Sequence, residues 1–148
     1  MQELRATRSG NHFHVDGDAF VPLYEAKLVH QFNHRAATFE GIPVEARFKM
    51  HAGTATPNTS DLGDPNWTIL PRFWIPEHEL DATCSSDIHF LSGFRNAISA
   101  VADSRSLVAT VIPRVGVGHS LPLFQTTQGA PGTAILAAVF NSFTVELL

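Results

Sequence analysis

A chain of 148 residues with 44% hydrophobic and 16% charged residues has enough apolar material for a sizeable core, which excludes a disordered acidic or basic tail. No apolar run reaches the ~18 residues of a membrane span, the N-terminus lacks the apolar centre of a signal peptide, and Cys84 as the one cysteine excludes an internal disulfide and thiolate-rich zinc sites. The net charge of −4 opposes sequence-independent attraction to phosphates, although the acidic excess is concentrated between Asp61 and Asp87.

Residues 1–18 read as a polar lead-in, with Arg5, Arg8 and Ser9-Gly10-Asn11, that ends in the turn Asp16-Gly17-Asp18. Ala19 to Tyr24 predicts a strand. In Lys27 to Phe39, Leu28, Phe32 and Ala36 recur at a spacing that predicts a short helix. Val44 to Met50 alternates apolar and polar residues, as a half-exposed strand does. Gly53 to Asn66 is rich in loop formers. Ile69 to Ile75 predicts a strand whose Pro71 demands an edge or a bulge.

Pro76 to Leu80 opens a short helix, with Pro at its start and Glu77 and Glu79 facing the positive end of the dipole. The chain is strand-like from Asp87 to Phe94, and ambiguous between helix and turn from Ala97 to Ala102. Leu107 to Ile112, almost wholly β-branched or apolar, predicts the strongest strand and a central place in the sheet. Gly116 to Pro122 reads as a mobile or tightly turned segment, and Thr133 to Leu148 as a terminal helix buried on more than one face. The sum is an α+β fold, a mixed and mainly antiparallel sheet with a few helices including the apolar C-terminal one, in a single domain over 1–148.

Two stretches, Val21 to Arg35 and Gly93 to His119, mix apolar residues with cationic and amide side chains. Arginine can bind guanine O6 and N7 with two hydrogen bonds, glutamine or asparagine can do the same to adenine, and lysine suits phosphates. Arg35, Arg72, Arg95, Arg105 and Arg114 carry the DNA-contact reading, supported by Lys27, Gln31 and Asn33, and His119 is a further candidate. The competing reading is that some of these arginines pair with the acidic middle of the chain and hold loops in place. Gly116-Val117-Gly118 next to His119 either offers backbone amides to a phosphate or simply turns the chain. Trp67 and Trp74 either stack on bases or fill the core.

Three ordered stretches carry a family resemblance. Pro22 to Arg35 is similar to a Pro-Leu-Tyr-Glu-Gly-Lys-Met-Ile-His-Gln-Phe-Asp-His-Arg pattern; Phe94 to Ile98, Arg105-Ser106 and Pro113 to Gly118 match a Phe-Arg-Asp-Ile-Ala, Arg-Thr and Pro-Arg-Val-Gly-Val-Gly series; Phe140-Asn141-Ser142-Phe143 matches a late Leu-Asn-Ser-Leu. In this order they resemble the region downstream of the catalytic domain in large adenine-specific DNA methyltransferases of the fused, type IIG restriction-modification kind. Departures from the pattern are Ala26 for Gly, Asn33 for Asp and Ser106 for Thr. The resemblance implies a DNA target-recognition region, partnered by double-stranded DNA and by an upstream methyltransferase domain; with no apolar span or signal-peptide centre in the sequence, a bacterial cytoplasm is the expected setting.

The chain contains no Gly-rich strand-to-helix turn for S-adenosylmethionine and no Asn-Pro-Pro-Tyr motif to hold an extruded adenine. It is therefore expected to be a fragment with no catalytic residue, metal ligand or cofactor of its own, S-adenosylmethionine belonging to the catalytic domain. Two readings from other classes stand beside this one. Asp16, Asp18, Glu25 and Lys27, with the spaced pairs His30/His34 and His12/His14, imitate a metal-dependent nuclease or hydrolase. The apolar C-terminal helix suits a packing or homo-oligomerisation module.

Overall fold

The N-terminal stretch is a β-meander, not a polar lead-in. In the computed structural model, which describes residues 6–96 and 106–146, β1 (Ala6–Ser9), β2 (His12–Val15) and β3 (Asp18–Tyr24) pair antiparallel in succession. Asp16 and Gly17 both have positive φ, the backbone whose twist matches a two-residue hairpin. The short alternation of Phe13 and Val15 with His12 and His14 is the signal for β2.

On the other side of β3 lies β4 (Trp74–Pro76), antiparallel, with Val21 opposite Ile75. The C-terminal end of β3 also pairs, in parallel, with β7 (Gly116–Val117). Gly116 leaves room for the Ile75 side chain here: a Cβ would sit 2.5 Å from Ile75 Cδ1 and would push that side chain aside. Of the strand expected over Ile69 to Ile75, only Trp74 and Ile75 enter the ladder. The preceding turn buries Ile69 and Pro71 instead.

A second sheet pairs β5 (Phe90–Phe94) with β6 (Ala109–Pro113). The far edge of β5 is followed by the segment 120–124 through Asn96 N–H to Ser120 O, Phe94 N–H to Pro122 O and Phe124 N–H to Ser92 O. β6 is thus an edge strand, contrary to the central place expected of Leu107 to Ile112. Its outward backbone groups are met by a side chain: buried Asn141 accepts from Ala109 N–H at 3.0 Å and donates Nδ2 to Ala109 O at 2.8 Å. Its apolar run is explained by burial, since Ala109, Thr110 and Ile112 are all inside.

Five helices complete the described residues: α1 (Val44–Arg47), α2 (Thr59–Gly63), α3 (Glu77–Thr83), α4 (Gly129–Phe140) and α5 (Phe143–Glu146). α3 starts directly after Pro76 as the sequence predicts. α1 replaces the strand expected at Val44 to Met50, because Pro43 fixes the entry φ and, among the described residues, no neighbouring strand takes the alternating face. α2 lies inside the expected loop and is nucleated by a capping box between Asn58 and Asp61.

Lys27 to Phe39 is not a helix. A 3-10 turn at Ala26–Leu28 leads into a tight turn in which His30 and Asn33 exchange backbone hydrogen bonds around Phe32 at φ +55°. Leu28 is buried and Phe32 exposed, so the two positions do not share one apolar face. The expected all-round burial of the C-terminal helix is also corrected. α4 buries Thr133 and Ala137 and leaves Ile135 and Val139 in solvent; the chain then breaks at Asn141, whose side chain is turned inward on β6.

Tyr24, Leu28, Val29, Phe39, Ile69, Ile112, Val115 and Leu121 form one core reached from both sheets. A satellite of Phe94, Phe124 and Phe140 rings lies under α4. The Asn141 clamp is expected to matter more than a helix cap. Asn141→Ala removes two buried hydrogen bonds and should cost ~2–3 kcal/mol, whereas Asn58→Ala at the α2 cap should cost ~1 kcal/mol, both read from urea unfolding midpoints.

Candidate nucleic-acid interface

Arg72 organises the most distinctive surface. Its Nε and Nη2 form a two-pronged pair with Glu25 at 2.8 and 2.6 Å, and Nη1 donates to Arg47 O at 2.9 Å. The guanidinium lies over the rings of Phe73 and Phe39 at 4.9 and 5.4 Å. Both ionic side chains are little exposed, 12% for Arg72 and 14% for Glu25. Two residues after Glu25, Lys27 donates Nζ to Ala52 O at 3.1 Å and sits over Phe39 at 5.4 Å.

Arg72 and Lys27 therefore hold the backbone of 47–52 by its carbonyls, and the side chains of that segment point away. Phe48 is 56% and Met50 87% exposed, and Lys49 and His51 are exposed beside them. The Phe48 ring rests against Phe73 at 5.7 Å. The result is a strip in which Lys49 and His51 stand beside the accessible rings of Phe48 and Phe73, with Lys27 beneath. Burial holds the Lys27 ammonium below the usual lysine range, with Arg72 adding to the effect and Glu25 opposing it. An anion arriving at the strip would reverse that shift.

The other sequence candidates are mostly engaged with the protein itself. Arg35 donates to the carbonyls of Leu62, Asp64 and Trp67 at 2.9, 2.8 and 3.0 Å and packs over Trp67. Asn33 Oδ1 accepts from Arg35 N–H, and Gln31 donates to Asn141 O, both at 2.8 Å. Arg114 binds Asp81 at 2.8 Å and the carbonyl of Cys84 at 2.7 Å; the bond to Asp81 raises its pKa above the ordinary arginine value. Arg95 is half-buried at the end of β5, and Arg105 lies outside the described residues. His119 is exposed in the turn after β7, where Gly118 N–H is already used by Tyr24 O.

Two features were missed by sequence reasoning. Arg8, assigned only to a lead-in, donates to Thr68 Oγ1 and to the carbonyls of Thr68 and Ile69. The strip at 47–52 was read only as a strand, although the run Arg47-Phe48-Lys49-Met50-His51 itself mixes cations with large apolar groups. Trp67 packs on the core, and Trp74 lies in β4 against Phe13 at 5.5 Å.

The acid and histidine sets do not converge. Asp16 and Asp18 are exposed at the β2–β3 turn, while Glu25 lies beyond the other end of β3, ~23 Å away at ~3.3 Å per strand residue. His30 and His34 occupy a tight turn and not one helical face, and the His12 and His14 rings are stacked with centroids 6.2 Å apart. Among the described residues, no group of three or more His, Cys, Asp or Glu side chains is placed to hold a metal ion, and no helix is long and apolar enough to cross a membrane.

Two outcomes follow from these contacts. Arg72→Met leaves Glu25 buried and unpaired and should cost ~3–5 kcal/mol, with most of the loss recovered in Glu25→Leu/Arg72→Met, as measured by chemical denaturation. His34 is held below its ordinary 6.5 by burial and by Arg35, so the unfolded chain binds the extra proton first as pH falls. Stability should decline as pH drops from ~6.5 toward the lower folded value, and His34→Gln should flatten that part of the profile. Comparisons with family models, curated proteins and solved structures returned no match to this chain.

Proposed function

We propose that the chain is the DNA-contacting target-recognition part of a cytoplasmic restriction-modification adenine methyltransferase and performs no reaction alone. The strip formed by Lys27, Phe48, Lys49, Met50, His51 and Phe73 carries this reading, because it combines phosphate-binding cations with accessible rings on a rigidly held loop. The ordered resemblance over Pro22 to Phe143 supports it independently. The resembling segments form the frame: Leu23 pairs with Gly116, and Gln31 meets Asn141. In this reading Gln31, Asn33, Arg35 and Arg114 hold loops in place, Lys27 anchors the strip through Ala52 O, and Lys49 binds phosphate. His119 offers a second exposed contact, and Arg95 and Arg105 belong to the same module.

With a net charge of −4, the isolated chain should bind duplex DNA weakly and lose affinity as salt rises. Fluorescence anisotropy with mixed-sequence duplex DNA should show Lys49→Ala binding severalfold more weakly than the parent. Its log affinity should fall less steeply with log salt, by ~0.9 for each phosphate that the variant no longer neutralises. Equal affinity and equal slope would remove the strip from the interface. A second reading, a packing module, is favoured by the exposed row Ile135, Val139 and Phe143 along the C-terminal helices; concentration-dependent sedimentation with no DNA binding at low salt would replace the first reading by this one.

A further inference from the structure

The cleft between β5 and the start of α4 has no part in the strip and carries its own signature. Phe124 N–H bonds to Ser92 O at 2.8 Å, and side chains two apart on a strand share a face. Phe90, Ser92 and Phe124 are thereby presented on one side, toward α4. Between them and the first turn of α4 is an open cavity of about 370 Å³, walled also by Leu123 and Ala130, within the ~300–1,000 Å³ of small-molecule sites. Phe90 and Leu123 stand substantially exposed along it.

Ser92 lines this cavity, is only 3% exposed, and its hydroxyl has no hydrogen-bond partner among the described residues. A buried hydroxyl left unsatisfied is costly and calls for a partner that arrives from outside the fold. The opposite wall, at the start of α4, is formed by the uncharged Gly129, Ala130 and Thr133. α4 is twelve residues long, has no acidic residue in its first turn, and gains no cap bond from the Gln128 side chain. Of its first residues, Gly129 donates its N–H to Thr126 O at 3.3 Å and Pro131 carries no N–H. Asp87 and His89 are the ionisable residues of the lining, which among the described residues holds no lysine or arginine. That composition disfavours a phosphate and suits a neutral ligand.

We infer that this cleft binds a neutral, planar heteroaromatic group of the nucleobase class, with a carbonyl or ring nitrogen directed at the Ser92 hydroxyl and the ring faces against phenylalanine. Base-on-aromatic stacking supplies affinity without charge. A free nucleoside and a base swung out of a strand present the same chemistry. The inference does not rest on the DNA reading, since free nucleosides would bind whether or not the strip contacts a duplex.

The test is a titration of the isotopically labelled chain, followed by amide NMR, with the four deoxynucleosides in one arm and a short single-stranded oligonucleotide in the other. Saturable shifts at Phe90, Ser92, Phe124 and Ala130 in either arm would support the site, and the responding arm identifies the source. Ser92→Ala should weaken that binding severalfold yet raise the melting temperature by a few degrees, because it removes an unsatisfied buried hydroxyl. Ala130→Phe, on the exposed side of α4, should block binding by filling the mouth. Absence of saturable shifts in both arms, binding unchanged in both variants, or a lowered melting temperature for Ser92→Ala would overturn the inference.

Discussion

Backbone carbonyls outside regular structure need donors, and in this chain guanidinium groups provide them. The elements are short, so long connecting stretches cannot satisfy their own peptide groups through ladders or helical bonds. Arg8 serves the carbonyls of Thr68 and Ile69, Arg35 those of Leu62, Asp64 and Trp67, Arg72 that of Arg47, and Arg114 that of Cys84. A guanidinium can do this from a single side chain because its donors lie in a fixed fork. Arg72 adds a little-exposed carboxylate partner and two aromatic faces, which makes it the most constrained of the group.

This use of arginine shapes what the surface can bind. Cations that look available in the sequence are spent on the loops of the acidic middle, which restricts the exposed positive charge to a few places. The strip at 47–52 is the clearest of them, and its rings and ammonium groups point outward because Arg72 and Lys27 hold its carbonyls from beneath. A recognition surface built on a loop gains from such anchoring, since a rigid loop loses less entropy on binding. The cleft beside α4 follows a different logic, with apolar walls and one buried hydroxyl in place of charge.

Sequence patterns revealed the fold class and several local features. β3 was legible from its apolar run, α3 from proline and the acidic first turn, and the α+β mixture from their alternation. Places that failed are those where long-range contacts override periodicity. Val44 to Met50 alternates like a strand but has no sheet edge to join, and Leu28, Phe32 and Ala36 keep helical spacing around a turn set by the His30–Asn33 bridge. For the site, the sequence named Lys27 and Arg72, and it offered loop-holding as the competing role for the arginines. It could not tell which of them would turn inward, because that depends on loops such as 62–67 that are near Arg35 only in the folded chain.

The central claim, that guanidinium-to-carbonyl bonds hold the loops and thereby the exposed strip at 47–52, is tested most directly by amide hydrogen exchange on the parent chain and on Arg72→Lys, which keeps the charge but cannot form the fork. The account predicts weakened protection at Lys49 and Ala52, whose amides close the turns of the held segment, with protection retained in the β1–β2–β3 meander. Unchanged protection at Lys49 and Ala52 would contradict it.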